Sequence, residues 1–328
     1  MKNLSQHVRI HAYGAAEKLG VELLEVPPPS AGEIQIRHTA IGVNFADIYY
    51  RTGFYSLPGL PATLGIEGAG LIQAVGPGVT GFAAGQRVAY AGPPVGSYAA
   101  IRNLPAERAI PLPEGIPSDI AAASMLRGIA AHMLFAYVRP VKPGDTILVH
   151  SAAGGLGLIL TQWARTLGAR VIGTAGSRAK ADLALEHGID RIVLYREEDF
   201  VAAAKDFTHG KGVDYAIDGV GGETFRRTLD AVGPYGMAAS IGQASGEIGT
   251  IHPSELGPSR SIAITRPSVL HFMADPSRYR EGAKATLTKL EEGLRVRIGT
   301  QLPLKEAAQA HSLMESGQTA GSILLYPE

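Results

Sequence analysis

Apolar and polar residues alternate in short runs over the first third of the chain, and from about residue 118 the spacing changes to helices alternating with buried strands. Residues 7–115 carry the runs HVRIHAYG, GEIQIRHTAIGVN, GAGLIQAVG, QRVAYAG and GSYAAIRN, separated by Gly/Pro turns, and predict a β-rich module. SDIAAASMLRGIAAHMLFAYV opens on Ser118, a helix-capping residue type, and keeps apolar residues at helical spacing as far as KPGD. The strands TILVHS, ARVIGTA, DRIVLY, VDYAIDGV and PYGMAASIG follow, interleaved with the helical segments GLGLILTQWARTLG, SRAKADLALEHG, VAAAKDFTH and ETFRRTLDAV. That βαβ alternation predicts an α/β domain with a doubly wound parallel sheet. Beyond it ELGPSRSIAITRPS reads as irregular and extended chain, residues 275–292 and 304–315 as helices, and GSILLYP as a terminal strand.

Length and charge narrow the picture. The 328 residues exceed the ~250–300 at which one core stops growing, so two domains are expected. Thirty basic and thirty acidic residues give zero net charge, and no basic run is present to track a phosphate backbone, so nucleic acid is not an expected partner. There is no cysteine, which removes disulfides, thiolate nucleophiles and sulfur-ligated zinc. The start, MKNLSQHVRIHAYG, lacks an apolar targeting region, and the apolar stretches elsewhere read as too short or too broken by glycine and charge to span a bilayer. A cytoplasmic protein without a membrane partner is expected.

The turn Ser151-Ala152-Ala153-Gly154-Gly155-Leu156-Gly157 follows an apolar strand and opens a helix. Only residues without a Cβ let the backbone approach a diphosphate, whose charge then meets the helix N-terminus. A tight strand-to-helix turn needs glycine on steric grounds as well, but its place at the first βαβ unit points to a dinucleotide. The second strand ends in GTAGSRAK, 173–180, where NAD enzymes carry an acidic residue for the ribose 2′-hydroxyl. Here no Asp or Glu stands; Arg178 and Lys180 suit a 2′-phosphate, so NADPH is the expected cofactor.

The segment GDTILVHSAAGGLGLILTQWAR, 144–165, resembles the signature of the quinone oxidoreductase branch, also called zeta-crystallin-like, of the medium-chain dehydrogenase/reductase superfamily. AIGVNFADIYYRTGFY, LGIEGAGLIQAVGPGV, LYREED, IDGVGGETF, SIGQASG and ITRPS extend the likeness over nearly the whole chain. The resemblance implies a GroES-like β-rich catalytic domain built from both chain ends, 1–124 and 268–328, and a Rossmann-type NADP-binding domain at 125–267. It further implies cofactor contacts at Phe45, Ala46, Asp47, Ile48 and Tyr49, at Ala153, Gly154, Gly155, Leu156 and Gly157, and at Gly176, Ser177, Arg178, Lys180 and Tyr195. Ile241, Gly242, Gln243, Pro267, Ser268 and Val269 complete the implied set. Lys180 and Tyr195 would hold the 2′-phosphate end. Where the branch often has Arg, this chain has Gly317, which weakens the implied preference for NADPH over NADH. Zinc-containing members place a ligand His where this chain reads Gly65-Ile66-Glu67, and with no cysteine either, no metal is expected.

Hydride transfer without a metal favours acceptors that are easy to reduce, such as quinones or conjugated enones. Asn44, Tyr49 and Tyr55 are the candidate catalytic residues. Either tyrosine can donate to a substrate oxygen, or with Phe45 and Phe54 simply wall an apolar pocket; Asn44 can orient nicotinamide or substrate. Arg127 reads either as facing a cleft or as packing, and Arg266 as flanking the nicotinamide or pairing with a carboxylate. Asp47 reads as a structural hydrogen-bonding partner, His132 and His150 as packing or cap residues. The leading expectation is an NADPH:quinone oxidoreductase that forms a homodimer. An enoyl or alkenal reductase is the alternative within enzymes, and a non-catalytic NADPH-binding or RNA-binding crystallin-like protein the alternative of another class.

Overall fold

The computed structural model describes residues 4–328. The chain divides into two compact units, one made of the residues up to Ile129 with Leu270–Glu328, the other of Ala130–Val269.

In the first unit both ends of the chain share one sheet. The long strand Glu33–Val43 pairs antiparallel with Glu67–Val75, with Ile101–Pro105 and with the terminal strand Ser322–Tyr326, so that Ile323 faces Val43 and Leu325 faces Ile41. Arg87–Ala91 and Ile110–Pro111 extend the sheet on one side, Ile298–Pro303 on the other. Its apolar alternation is satisfied by a core in which Ile34, Ile36, Ile72, Val88, Tyr90 and Leu104 are closed to solvent. Leu4–Ile10, Gly20–Glu25 and Ala62–Thr63 form a smaller antiparallel sheet.

Three elements differ from the sequence expectation. Ile298–Pro303 is a strand although IGTQLP has little β character; Gly299 sits so close to the Ala320 carbonyl that an added Cβ would lie 1.7 Å away, and pairing with Ser322–Tyr326 supplies the order that propensity does not. Phe45–Thr52 is a helix, started at Asn44 and ended by Gly53 at φ +83°. Ser118–His132 continues into a π-helical turn, Met133–Val138. The resulting 21-residue helix, mean hydropathy 1.3, is long and apolar enough by length and composition to cross a bilayer, although its stretch was read as too short or too broken by glycine and charge; 78% of its most apolar window is buried inside the protein, as in a core helix.

The second unit is an all-parallel six-stranded sheet in the order Arg191–Leu194, Arg170–Ala175, Thr146–Val149, Val213–Asp218, Val232–Ser240, Ala263–Thr265. Counting strands along this unit, the order is 3-2-1-4-5-6, that of a dinucleotide-binding domain. The core runs through Leu148, Ile172, Val193, Ala216 and Phe225. Between the first and fourth strands the chain direction of winding reverses, and the crevice beyond their carboxyl ends is where such sheets bind ligands.

Candidate active site

Every implied cofactor residue of the second unit follows the carboxyl end of a parallel strand: Ala153–Gly157 after Val149, Gly176–Lys180 after Ala175, Tyr195 after Leu194, Ile241–Gln243 after Ser240, and Pro267–Val269 after Thr265. The fold thus brings them to one edge. At the switch point the turn is tight. Ser151 takes φ +52°, Gly154 N–H donates to the Ser151 carbonyl (2.9 Å), and helix Gly155–Thr166 begins at once. A Cβ on Gly157 would lie 2.5 Å from the Ser151 oxygen and 2.8 Å from Ala152 Cα, so no other residue fits that first helical turn. Gly173 on the neighbouring strand plays the matching part, since a Cβ there would meet Ala152 Cβ at 2.7 Å. The residues of this turn therefore fit a diphosphate group: the backbone is bare and the first N–H groups of the helix lack intrahelical partners.

Below the turn a buried polar chain ties three strand ends together. Thr174 Oγ1 lies 3.1 Å from His150 Nδ1, His150 Nε2 lies 2.8 Å from Thr228 Oγ1, and Thr228 Oγ1 lies 3.2 Å from Asp218 Oδ2, whose other oxygen accepts from Val220 N–H (2.6 Å) and Gly221 N–H (2.8 Å). Burial holds the His150 imidazole below its ordinary pKa. His150 is thus a packing residue with both ring nitrogens engaged.

At the second strand end Ser177 caps helix Arg178–Glu186, and Gly176 passes beneath Tyr195, where an added Cβ would sit 2.8 Å from the phenolic oxygen. Arg178 and Lys180 stand in the first helical turn, where cations are otherwise disfavoured. Burial and the neighbouring Arg196 push the Lys180 ammonium below its ordinary value. Arg196, whose guanidinium lies 5.9 Å from the Tyr195 ring centroid, is a third cation at this end that the sequence reading did not single out. Its signal was position, one residue beyond Tyr195.

In the first unit Asn44 is almost closed to solvent. Its Nδ2 donates to Glu67 Oε2 (2.9 Å) and its backbone N–H to Asp47 Oδ2 (2.8 Å). Glu67 is fully buried and also accepts from Leu126 N–H (2.7 Å) and from Arg127 Nη1 (3.4 Å). The Asp47 carboxyl is likewise wholly buried; burial pushes its pKa up to about 7, Glu67 adds to the rise, and Asn44 N–H, Tyr98 OH and Arg127 oppose it. With its side chain turned inward, Asp47 serves as the structural hydrogen-bonding partner and presents no carboxylate to a ligand. Phe45, Tyr49, Tyr50, Phe54 and Tyr55 pack ring against ring, with Tyr49 5.3 Å from Phe54 and 5.2 Å from Tyr55 between centroids. Phe54 is exposed, Tyr49 and Tyr55 partly so.

Of the remaining candidates, Arg127 packs inside the first unit and donates to the carbonyls of Val43 (2.8 Å) and Ala123 (2.9 Å). Arg266 bonds the Gln243 side-chain oxygen rather than a carboxylate. His132 packs edge-on against Tyr137 and at a tilt against Trp163. Ile66 is fully buried, and among the described residues no group of three His, Cys, Asp or Glu side chains is placed to hold a metal.

Residues 30–114 match the alcohol dehydrogenase GroES-like domain family and residues 155–286 the zinc-binding dehydrogenase family. The chain is 40% identical to a 2-haloacrylate reductase of Burkholderia sp over 97% of this chain and 98% of that one, and 38% identical to quinone oxidoreductase 1 of Escherichia coli strain K12 over 99% and 100%. The crystal structure of Escherichia coli quinone oxidoreductase complexed with NADPH superposes with a TM-score of 0.94, covering 98% of this chain and 100% of the other at 38% identity. A GroES-like domain and a Rossmann-type parallel-sheet domain, with full-length identity at this level, place the sequence: the chain belongs to the quinone oxidoreductase branch of the medium-chain dehydrogenase/reductase superfamily.

Proposed function

We propose that this protein is a zinc-independent, NADPH-dependent reductase of quinones or related conjugated carbonyls. The observation that carries the reading is the carboxyl edge of the parallel sheet. There the glycine turn that a Cβ at position 157 would close lies on the strand next to one whose end offers Ser177, Arg178 and Lys180 with no acidic side chain from 173 to 180. We take residues 125–267 as the dinucleotide domain. Ala153–Gly157 would receive the diphosphate at the helix N-terminus, and Arg178, Lys180, Tyr195 and Arg196 the 2′-phosphate. Ile241–Gln243 and Pro267–Val269 would flank the nicotinamide half. NADPH, when bound, supplies the hydride.

The chain's own residues then orient and protonate. Asn44, held at two points by buried carboxylates, orients; a hydroxyl of Tyr49 or Tyr55 donates to the substrate oxygen on which charge develops, and Phe45 and Phe54 exclude water around it. Zinc independence rests on ligand chemistry: there is no cysteine, and Ile66 occupies the ligand-histidine position. NADPH oxidation with a quinone as acceptor tests the reading. Absence of turnover with quinones and enones alike refutes it.

The 40% identity to a 2-haloacrylate reductase favours a second reading, reduction of a conjugated carbon–carbon double bond. Parallel assays with a quinone and an enone separate the two. We also propose a cytoplasmic homodimer formed through Ala263–Thr265, the edge strand of the parallel sheet, on which Ala263 and Ile264 are exposed. Light scattering at a monomer mass rejects the dimer. No nucleic acid partner is expected from the balanced charge, and tight, sequence-dependent binding of single-stranded RNA would overturn that.

A further inference from the structure

The first unit contains a chain of buried side chains that ends on Asn44. Arg51, 1% exposed, forms a two-pronged ion pair with Glu315 (Nη1 to Oε2 3.0 Å, Nη2 to Oε1 2.6 Å) and points Nη1 at His311 Nδ1 (3.1 Å). His311 Nε2 lies 2.9 Å from the Tyr98 hydroxyl, and that hydroxyl lies 3.1 Å from Asp47 Oδ2. The same Asp47 oxygen receives the backbone N–H of Asn44. His311, Tyr98 and Asp47 are wholly closed to solvent.

Donor chemistry leaves this chain one direction. A guanidinium only donates, so His311 Nδ1 must accept and its proton must sit on Nε2. Nε2 then donates to the tyrosine oxygen, whose single proton is left for Asp47 Oδ2. Burial and the facing Arg51 charge keep the imidazole neutral, its pKa lowered to about 3, so the tautomer persists. Gly65 makes room for the tyrosine, since a Cβ there would fall 2.3 Å from its ring. From Arg51 through His311 and Tyr98 the donors run to Asp47 Oδ2, the same oxygen that accepts the Asn44 N–H.

We propose that Tyr98 and His311 are positioning residues which, through Asp47, fix the backbone of Asn44 and with it the start of the helix Phe45–Thr52, on whose second turn Tyr49 lies. The consequence for turnover rests on the reductase reading; the consequence for Asn44 does not. The test uses Tyr98→Phe, which removes one hydroxyl and keeps the ring. Hydrogen exchange at the Asn44 amide is expected to accelerate on the order of tenfold or more, and kcat with a quinone to fall on the order of tenfold while KM for NADPH holds within about twofold. His311→Gln, which retains an acceptor for Arg51 and a donor for Tyr98, is expected to keep more of kcat than His311→Leu. A merely structural chain would lower Tm in each variant and leave kcat of the folded enzyme alone. Unchanged exchange at Asn44 in Tyr98→Phe, or equal kcat in the Gln and Leu variants, overturns the proposal. A wild type that oxidises no NADPH with any quinone or enone refutes the reductase reading instead, and the Asn44 exchange still decides the hydrogen-bond chain.

Discussion

Both units have apolar cores, but most of the buried charge lies in the β-rich one. The parallel-sheet unit fills its core with Leu148, Ile172, Val193 and Phe225, and its candidate phosphate-binding cations, Arg178 and Arg196, stand in solvent. The β-rich unit closes Arg51, Asp47, Glu67, His38 and His311 away from water. Exposed charges carry little folding energy, so those of the first kind can be exchanged with an effect confined to ligand affinity. Buried charges are held only by their partners, so changes among them register in stability and pH dependence as well.

The sharpest way to break this contrast is Gly157→Val. The added side chain collides with the Ser151 carbonyl, and NADPH affinity is expected to fall by on the order of a hundredfold or more in a cofactor titration, with a loss of stability beside it because the clash is with backbone. Lys180→Ala combined with Arg196→Ala comes next: each lost charge-assisted contact is worth ~1.5–3 kcal/mol, so with both gone NADPH should bind on the order of a hundredfold more weakly while NADH binding and Tm stay unchanged.

The β-rich unit answers to pH instead. Burial lowers His38 and His311 to about 3, against 6.5 for an ordinary imidazole. Their contribution to stability is full above 6.5 and is lost as pH falls toward 3, each costing about 1.4 kcal/mol per pH unit within that window. Asp47 has the opposite sign, because a folded pKa of about 7 exceeds its model-peptide value of 3.8. Its stabilising share is present below 3.8 and lost as pH rises through 7. Asp47→Asn should therefore steepen the acid-side loss of unfolding free energy, by up to about 1.4 kcal/mol per pH unit, as read by calorimetry from pH 4 to 7. The smallest effect is expected for Tyr55→Phe, a fall in kcat on the order of tenfold if the hydroxyl donates and none if the ring only walls the pocket.

Legibility followed the same division. The parallel sheet announces itself, because strands covered on both faces are apolar throughout and their helices are punctuated by glycine; GDTILVHSAAGGLGL contains strand, turn and helix in one run. Among the candidate residues after its strand ends, the glycine turn and the Arg178–Lys180 stretch were readable from the local pattern, whereas Tyr195, Ile241–Gln243 and Pro267–Val269 came only from the family resemblance, and the candidate Arg196 was passed over because it lies one step past a residue already chosen. The β-rich unit hid more. Ile298–Pro303 is ordered by its neighbour rather than by its own residues, and the helix Phe45–Thr52 lay inside a segment read for its tyrosines. Tyr98 and His311 meet across 213 positions of sequence, and no local pattern foretells that the tyrosine will face Asp47. Contacts of that range form only once both ends of the chain have joined one sheet.

Turnover measured with NADPH and with NADH, a quinone serving as acceptor, bears most directly on the central claim. The account predicts oxidation of NADPH with kcat/KM at least about tenfold above that for NADH, a preference one charge-assisted phosphate contact suffices to produce. Equal use of the two cofactors would contradict the 2′-phosphate assignment of Lys180, Tyr195 and Arg196, and no oxidation of either would contradict the reductase itself.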